Sequence, residues 1–371
     1  MKQISVGLIP APELPEDIVN KLAGSLASAF SRQIDSTISW NVEVVRDQLT
    51  GASGRGDEII QRAVTLKKEN SWHYAICLTD MPIFSDKKVV LAEDDDRYGV
   101  AQISLPACGA FPLKTRVKKA IIQMVGELYF RMDGDSGHSI QNNKKLLRSG
   151  LVLSPVKMVL PSERNTGVRF IVVPRIQGIF RLLAGMTYAN RPWRIIPAFK
   201  SVVAIAFASG AYGLVFTTLW SISAAYGYLR FIVLMIVAMA AMVTWIIFAH
   251  NLWEKNSVRT NRKLTLLYNM ITVGTLTTAV LAYYIVMYVL FLLAVVFFVP
   301  PDLFESTVGL GEEVTSGHFF QLAWLVTSVA TIAGAIGSGL EDNEAVRKIM
   351  YGHRQRQRYK ETEHNEGFLE E

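Results

Sequence analysis

The chain has 371 residues, 50% of them hydrophobic and 19% charged, with a formal net charge of +6. A mean hydropathy of only +0.26 excludes a pure membrane bundle, and the clustering of Lys and Arg beside hydrophobic segments fits the positive-inside pattern rather than a nucleic-acid partner. The two cysteines, Cys77 and Cys108, lie in apolar contexts and give neither a disulfide framework nor a metal site; buried thiols in a reducing compartment are expected.

Residues 1–131 read as a soluble α/β domain. Ile4 to Ile9 is a short strand stopped by Pro10 and Pro12, and Ile18, Leu22, Leu26 and Phe30 then repeat at helical spacing. Thr37 to Val45 alternates as a second strand, and Asp57 to Lys68 carries Ile59, Ile60, Ala63 and Leu66 on one helical face. Tyr74 to Leu78, Lys87 to Ala92 and Gly99 to Leu105 are strands, and Arg116 to Tyr129 is a closing helix. The order β-α-β-α-β-β-β-α predicts three layers around a mixed sheet. The first residues have too short an apolar run for a signal peptide, so the N-terminus is expected on the cytoplasmic side.

Three features of this domain carry polar groups that chemistry could use. Gly51 to Glu58 (GASGRGDE) links a strand to a helix, where Gly54, Arg55 and Gly56 could offer N–H groups to an anion. It lacks the Lys-Ser/Thr of a phosphate loop, so a turn is the simpler expectation. The acidic run Glu93, Asp94, Asp95 and Asp96 lacks the glycine and distal glutamate of a calcium loop and is expected to be a solvated hairpin turn. His73, beside Trp72, is expected at a strand end. Nothing in the chain calls for a cofactor, a metal or a catalytic constellation.

The layout of Leu78-Thr79-Asp80, the strands ending in Ile103 to Phe111, and the helix Val117 to Phe130 resembles that of zincin-type peptidases, in particular archaemetzincins. In such enzymes two histidines one turn apart on the helix hold zinc, and a glutamate acts as general base. The corresponding helix here, Ala120 to Glu127, has no histidine. The resemblance therefore implies a degenerate, noncatalytic relative of the fold, and no ligand is carried over.

Residues 132–167 break into Gly, Ser, Asn and Lys and read as a linker, with His138 facing solvent. Residues 168–197 are expected to hold a short strand, Val168 to Val173, that extends the sheet, followed by an amphipathic helix. Ile176, Ile179, Phe180, Leu183 and Met186 make its apolar face. Arg181, Arg191, Trp193 and Arg194 are the candidate contacts to a membrane surface, with anionic headgroups as partners; a helix packed on the soluble domain is the alternative. The segments Arg181 to Met186 (RLLAGM) and Ala189 to Arg194 (ANRPWR), with Leu78 to Pro82 upstream, are similar to a family of uncharacterised bacterial multi-pass membrane proteins. That resemblance implies a cell-membrane protein in two parts and brings no activity with it.

Residues 198–340 read as a transmembrane domain of four helices, spanning about 198–219, 228–249, 264–299 and 318–340, with a tail at 341–371. The loop from His250 to Lys263 is basic and the loop from Asp302 to Gly317 is acidic, so four crossings place the N-terminus, the basic loop and the C-terminus in the cytoplasm. Leu264 to Val299 carries no charged side chain. As a helix it reaches about 54 Å, against a hydrocarbon core of about 30 Å, so it must tilt, bend near Gly274 or project from the bilayer.

Thr272, Thr275 and Thr278 are candidates to line a pore, and Gly334 and Gly337 are candidates for close helix packing. No Asp, Glu or Lys lies inside a span, which argues against ion-coupled transport. Together these features predict a homo-oligomeric membrane protein with a noncatalytic cytoplasmic sensing or binding domain, its spans forming a passive pore. A scaffold that recruits a cytoplasmic protein partner is the alternative, and a membrane-tethered hydrolase derived from zincins is a third reading.

Overall fold

The computed structural model describes residues 2–48, 56–85, 88–132, 156–159, 167–194, 196–254, 262–309 and 314–338. They form two compact units, one of residues up to Ala189 and one from Asn190 onward. The first is a mixed α/β unit and the second is all helix, as the hydropathy pattern predicts.

In the first unit, β1 (Gln3–Pro10), β2 (Ser39–Val44), β3 (Tyr74–Thr79) and β6 (Val100–Ser104) run parallel in the order β2-β1-β3-β6. Antiparallel pairing then adds β5 (Lys88–Asp95), β8 (Arg169–Val172) and β7 (Val156–Val159), while β4 (Ile83–Ser85) pairs with β5. Every residue of β3 is buried, the mark of a strand covered on both faces.

The helices follow from their ends as well as their faces. Helix α1 (Leu14–Gln33) opens with Pro15, Glu16 and Asp17 and closes with Arg32, each suited to its end of the helix dipole. Helix α2 (Gly56–Glu69) packs Ile59, Ala63 and Leu66 with Ile9, Ala75, Cys77 and Val100. That surface needs Gly7. A Cβ there would lie 1.9 Å from Cε3 of Trp72, whose indole donates to Glu43 at 2.8 Å. Helix α3 (Leu113–Met132) packs beside α1, and α4 (Arg175–Ala189) lies along β5 and β8.

Three expectations change here. The sheet does not stop near residue 131: β7 falls inside the expected linker, and β8 extends the sheet as the Val168 to Val173 reading proposed. A backbone hydrogen bond from Asp94 to Val168 carries the ladder just beyond β8. Helix α4 also uses one side as a packing surface. Gly178, Leu182, Gly185, Met186 and Ala189 are buried, and a Cβ on Gly185 would lie 2.2 Å from the Pro106 carbonyl oxygen. Its other side exposes Ile176, Ile179 and Phe180.

The second unit holds α5 (Lys200–Leu214), α6 (Thr217–Ala225), α7 (Tyr228–Ala249), α8 (Arg262–Phe298), α9 (Pro301–Val308) and α10 (Ser316–Ser338). Among the described residues, three helices are long and apolar enough to cross a membrane, or four if α5 and α6 count as one bent span. The expected straight span at 198–219 is therefore corrected: α5 and α6 meet at 89° across Val215 and Phe216. Trp220 holds the corner, its indole N–H donating to the Leu214 carbonyl at 3.0 Å, so a helix-end acceptor is satisfied without water. The long α8 runs unbroken through Gly274, and α10 packs against α5, α7 and α8. Tyr283, Phe291, Phe231 and Phe304 fill the core, with Phe207 stacked on Phe291 and Phe231 on Trp324.

Candidate functional site

Strands β5 and β6 are joined by the turn Asp96 to Gly99, and polar groups gather on both sides of it. Asp94 stands opposite Ala101 and Glu93 opposite Gln102, so the two neighbouring acids point to opposite faces of the sheet. Neither is in a solvated turn. Glu93 is 9% and Asp94 is 7% exposed, which corrects the expectation for the acidic run; only its end lies in the turn.

On the face covered by α3, Arg131 is set among three carboxylates. Its guanidinium lies 3.8 Å from Asp94, 3.6 Å from Asp96 and 3.5 Å from Glu127. Gln123, one helical turn before Glu127, donates to it at 2.7 Å. Asp94 Oδ1 accepts the Val168 N–H, while Oδ2 has no hydrogen-bond partner among the described residues. Burial pushes the Asp94 carboxyl up to about 6. The Val168 N–H and Arg131 counter this, and the nearby Glu127 and Asp96 charges reinforce it. On the opposite face Glu93 accepts from Arg169 at 2.5 Å and from Gln102, and Arg169 also donates to Ser85 at 2.9 Å. These bonds tie β8 to β4, β5 and β6.

The other side of the turn is basic and open. Lys67 and Lys68 from the last turn of α2, Ser71, Trp72 and His73 from the segment before β3, and Arg97 and Tyr98 from the turn line a cavity of about 400 Å³. Lys67 donates to the Tyr98 carbonyl at 2.5 Å, and its partial burial lowers its pKa. Arg97 is held by two bonds to Asp95, at 3.0 and 2.7 Å, with its guanidinium 5.4 Å from the Tyr98 ring centre. His73 Nδ1 lies 2.8 Å from Ser5 Oγ at the end of the strand, as expected. Cations around an aromatic ring suit an anionic ligand with a flat or phosphate-bearing part.

The residues singled out from sequence are dispersed. Gly54 and Arg55 lie outside the described residues, and Gly56 is the first residue of α2. Thr272 and Thr275 are buried, with Thr275 accepting from Asn190 at 2.9 Å. Thr278 instead faces outward and bonds back to the Gly274 carbonyl at 2.8 Å. The three threonines therefore do not share one lining surface. Gly334 and Gly337 serve packing within the chain: a Cβ would lie 2.8 Å from the Tyr283 hydroxyl at one and 2.9 Å from Ile205 at the other.

Arg181 reaches inward to the Cys108 carbonyl, Arg191 is 8% exposed and Trp193 is 46% exposed; the Arg194 side chain lies outside the described set. Of the first three, only Trp193 is exposed as a surface contact requires.

Sequence reasoning missed the polar cluster under α3, although Gln123, Glu127 and Arg131 form a stripe at four-residue steps. The cavity gave less signal, because three separate segments supply its lining. Compared with known proteins, the chain matches no family model, no curated protein and no solved structure.

Proposed function

We propose that this is a multi-pass membrane protein whose α/β domain is a noncatalytic cytoplasmic binding or sensing module, and that it takes an anionic ligand in the cavity beside the β5–β6 turn. The observation that carries this reading is the convergence of Lys67, Lys68, His73 and Arg97 around the Tyr98 ring. Membrane insertion is supported by the apolar side chains exposed along α7 and α8, among them Leu229 at 75% and Phe297 at 87%. Water-soluble surfaces seldom carry so much contiguous apolar area.

A zincin-like hydrolase is the weaker reading, because Gln123 and Glu127, one turn apart on α3, are bonded to each other. The buried cluster across the turn suits a sensor in another way. Asp94 holds the chain at Val168, just before β8, and β8 leads directly into α4 and the helical unit. Neither a shared passive pore nor a scaffold for a protein partner has an observation that favours it over this reading.

The test is a calorimetric titration of the detergent-purified full chain with inorganic pyrophosphate. Saturable binding is expected, weakened about tenfold or more when Lys67 and Arg97 are replaced by Ala. No saturable heat, or equal binding by the variant, would remove the cavity from the account.

A further inference from the structure

We propose that Arg116 and Arg181 form a site for the phosphate of an anionic lipid headgroup, at the edge of an apolar strip of the α/β domain that rests on the bilayer surface. The site is separate from the cavity beside the β5–β6 turn, and it rests on the membrane reading alone.

Arg116 on α3 and Arg181 on α4 both donate to one acceptor, the Cys108 carbonyl, at 2.8 and 3.2 Å. Two guanidiniums thus share a single neutral oxygen, and the Arg116 Nε is buried with no acceptor among the described residues. The Cys108 thiol supplies no counter-charge, since burial pushes it up to about 11. Burial pulls Arg181 down to about 10, with the Arg116 charge adding to the effect. Like charges held this close favour binding of an anion, and a phosphate can accept from both planar forks.

The backbone is fitted to the same arrangement. Gly109 has φ 78°, and a Cβ there would stand 2.9 Å from Arg116 Nη1 and 3.1 Å from Arg181 Cγ. The opening turns of α3 and α4 carry Lys114 and Arg175 and no acidic residue, so the helix dipoles add to the positive potential.

The lipid source is argued from what surrounds the pair. Phe111, three residues from Cys108, is 72% exposed and rests on Tyr188 of α4 with ring centres 5.0 Å apart. On α4 itself Ile176 is 70%, Ile179 43% and Phe180 68% exposed. Exposed apolar side chains next to a cationic pair are the pattern of a surface seated in the headgroup region. Continuity of the chain agrees, because α4 ends at Ala189 and the first apolar helix begins at Lys200, a connection that can reach at most about 40 Å.

The experiment is native mass spectrometry of the full chain in neutral detergent, titrated separately with phosphatidylglycerol, phosphatidylcholine and inorganic phosphate. Retention of phosphatidylglycerol over phosphatidylcholine is expected, falling about tenfold in the Arg116→Gln/Arg181→Gln variant and little in Arg32→Gln, an exposed arginine on α1. Ile176→Ser/Phe180→Ser changes only exposed side chains, so the fold should persist while lipid retention drops. Equal retention by all variants overturns the site while leaving membrane insertion intact. Tight binding of inorganic phosphate with no preference for phosphatidylglycerol overturns the lipid source. A chain that stays soluble without detergent instead overturns the membrane reading on which the site rests.

Discussion

The two units bury polar groups in different ways. In the α/β unit the bonds cross between elements distant in sequence: Glu93 with Arg169, Asp94 with Val168, Lys118 with Ser25, and Tyr129 with Asp35. In the helical unit many hydroxyls instead bond back to their own helix, as do Thr278 to Gly274, Thr327 to Ala323 and Thr331 to Thr327. A hydroxyl satisfied inside its own helix costs the apolar surroundings little and fixes no partner. Polar residues in the spans are therefore poor markers of a conduit, whereas those in the α/β unit specify an arrangement that function can use.

The largest expected break is at Gly7. Val in its place meets the buried Trp72 ring, and the α/β unit should lose about 3 kcal/mol, seen as protease sensitivity confined to that unit. The helical counterpart is Gly210, where a Cβ would lie 2.2 Å from the Phe291 ring; Gly210→Val should instead lower the melting temperature of the helices.

Asp94 tests whether the cross-element cluster is electrostatically poised. Its folded-state pKa is raised from 3.8 to about 6, so between those values the folded chain holds a proton that the unfolded chain has lost. Stability from this group is therefore full below about pH 4 and declines by about 3 kcal/mol as pH rises to about 6, with no further loss above. The urea midpoint across that range should follow this slope in the native chain and flatten in Asp94→Asn. An unchanged slope would separate the burial of Asp94 from any sensing role.

Smaller effects are expected in the helices. Thr275→Val removes the oxygen that accepts from Asn190 and should cost about 1–3 kcal/mol. Trp220→Phe uncaps the Leu214 carbonyl at the α5–α6 corner and should cost about 1 kcal/mol. Thr278→Val, at an exposed position, should stay within about 0.5 kcal/mol. A comparable loss at Thr278 and Thr275 in detergent melts would contradict the distinction between self-satisfied and cross-linked hydroxyls.

Period and composition were enough to read the mixed sheet, helices α1 to α3 and the second span, because each repeats its apolar positions over several turns or alternates cleanly. Short strands β4 and β7 carry too few residues for a period, so Val156–Val159 read as linker. The bend after Leu214 was hidden because both of its arms are equally apolar and the indole that holds it comes from the next helix. The acidic run read as solvated because its partners, Arg131 and Arg169, lie far along the chain. Burial of a charge depends on such contacts rather than on local sequence.

The most direct measurement is the sidedness of two engineered cysteines in sealed membrane vesicles of known orientation. Lys68→Cys sits at the exposed end of α2 and Leu303→Cys on exposed α9, while native Cys77 and Cys108 are buried and should stay silent. With the bent pair, α7 and α8 each crossing once, an impermeant thiol reagent should label Lys68→Cys only from the cytoplasmic side and Leu303→Cys only from the opposite side. Labelling of both from the same side would contradict a cytoplasmic binding domain carried on four spans.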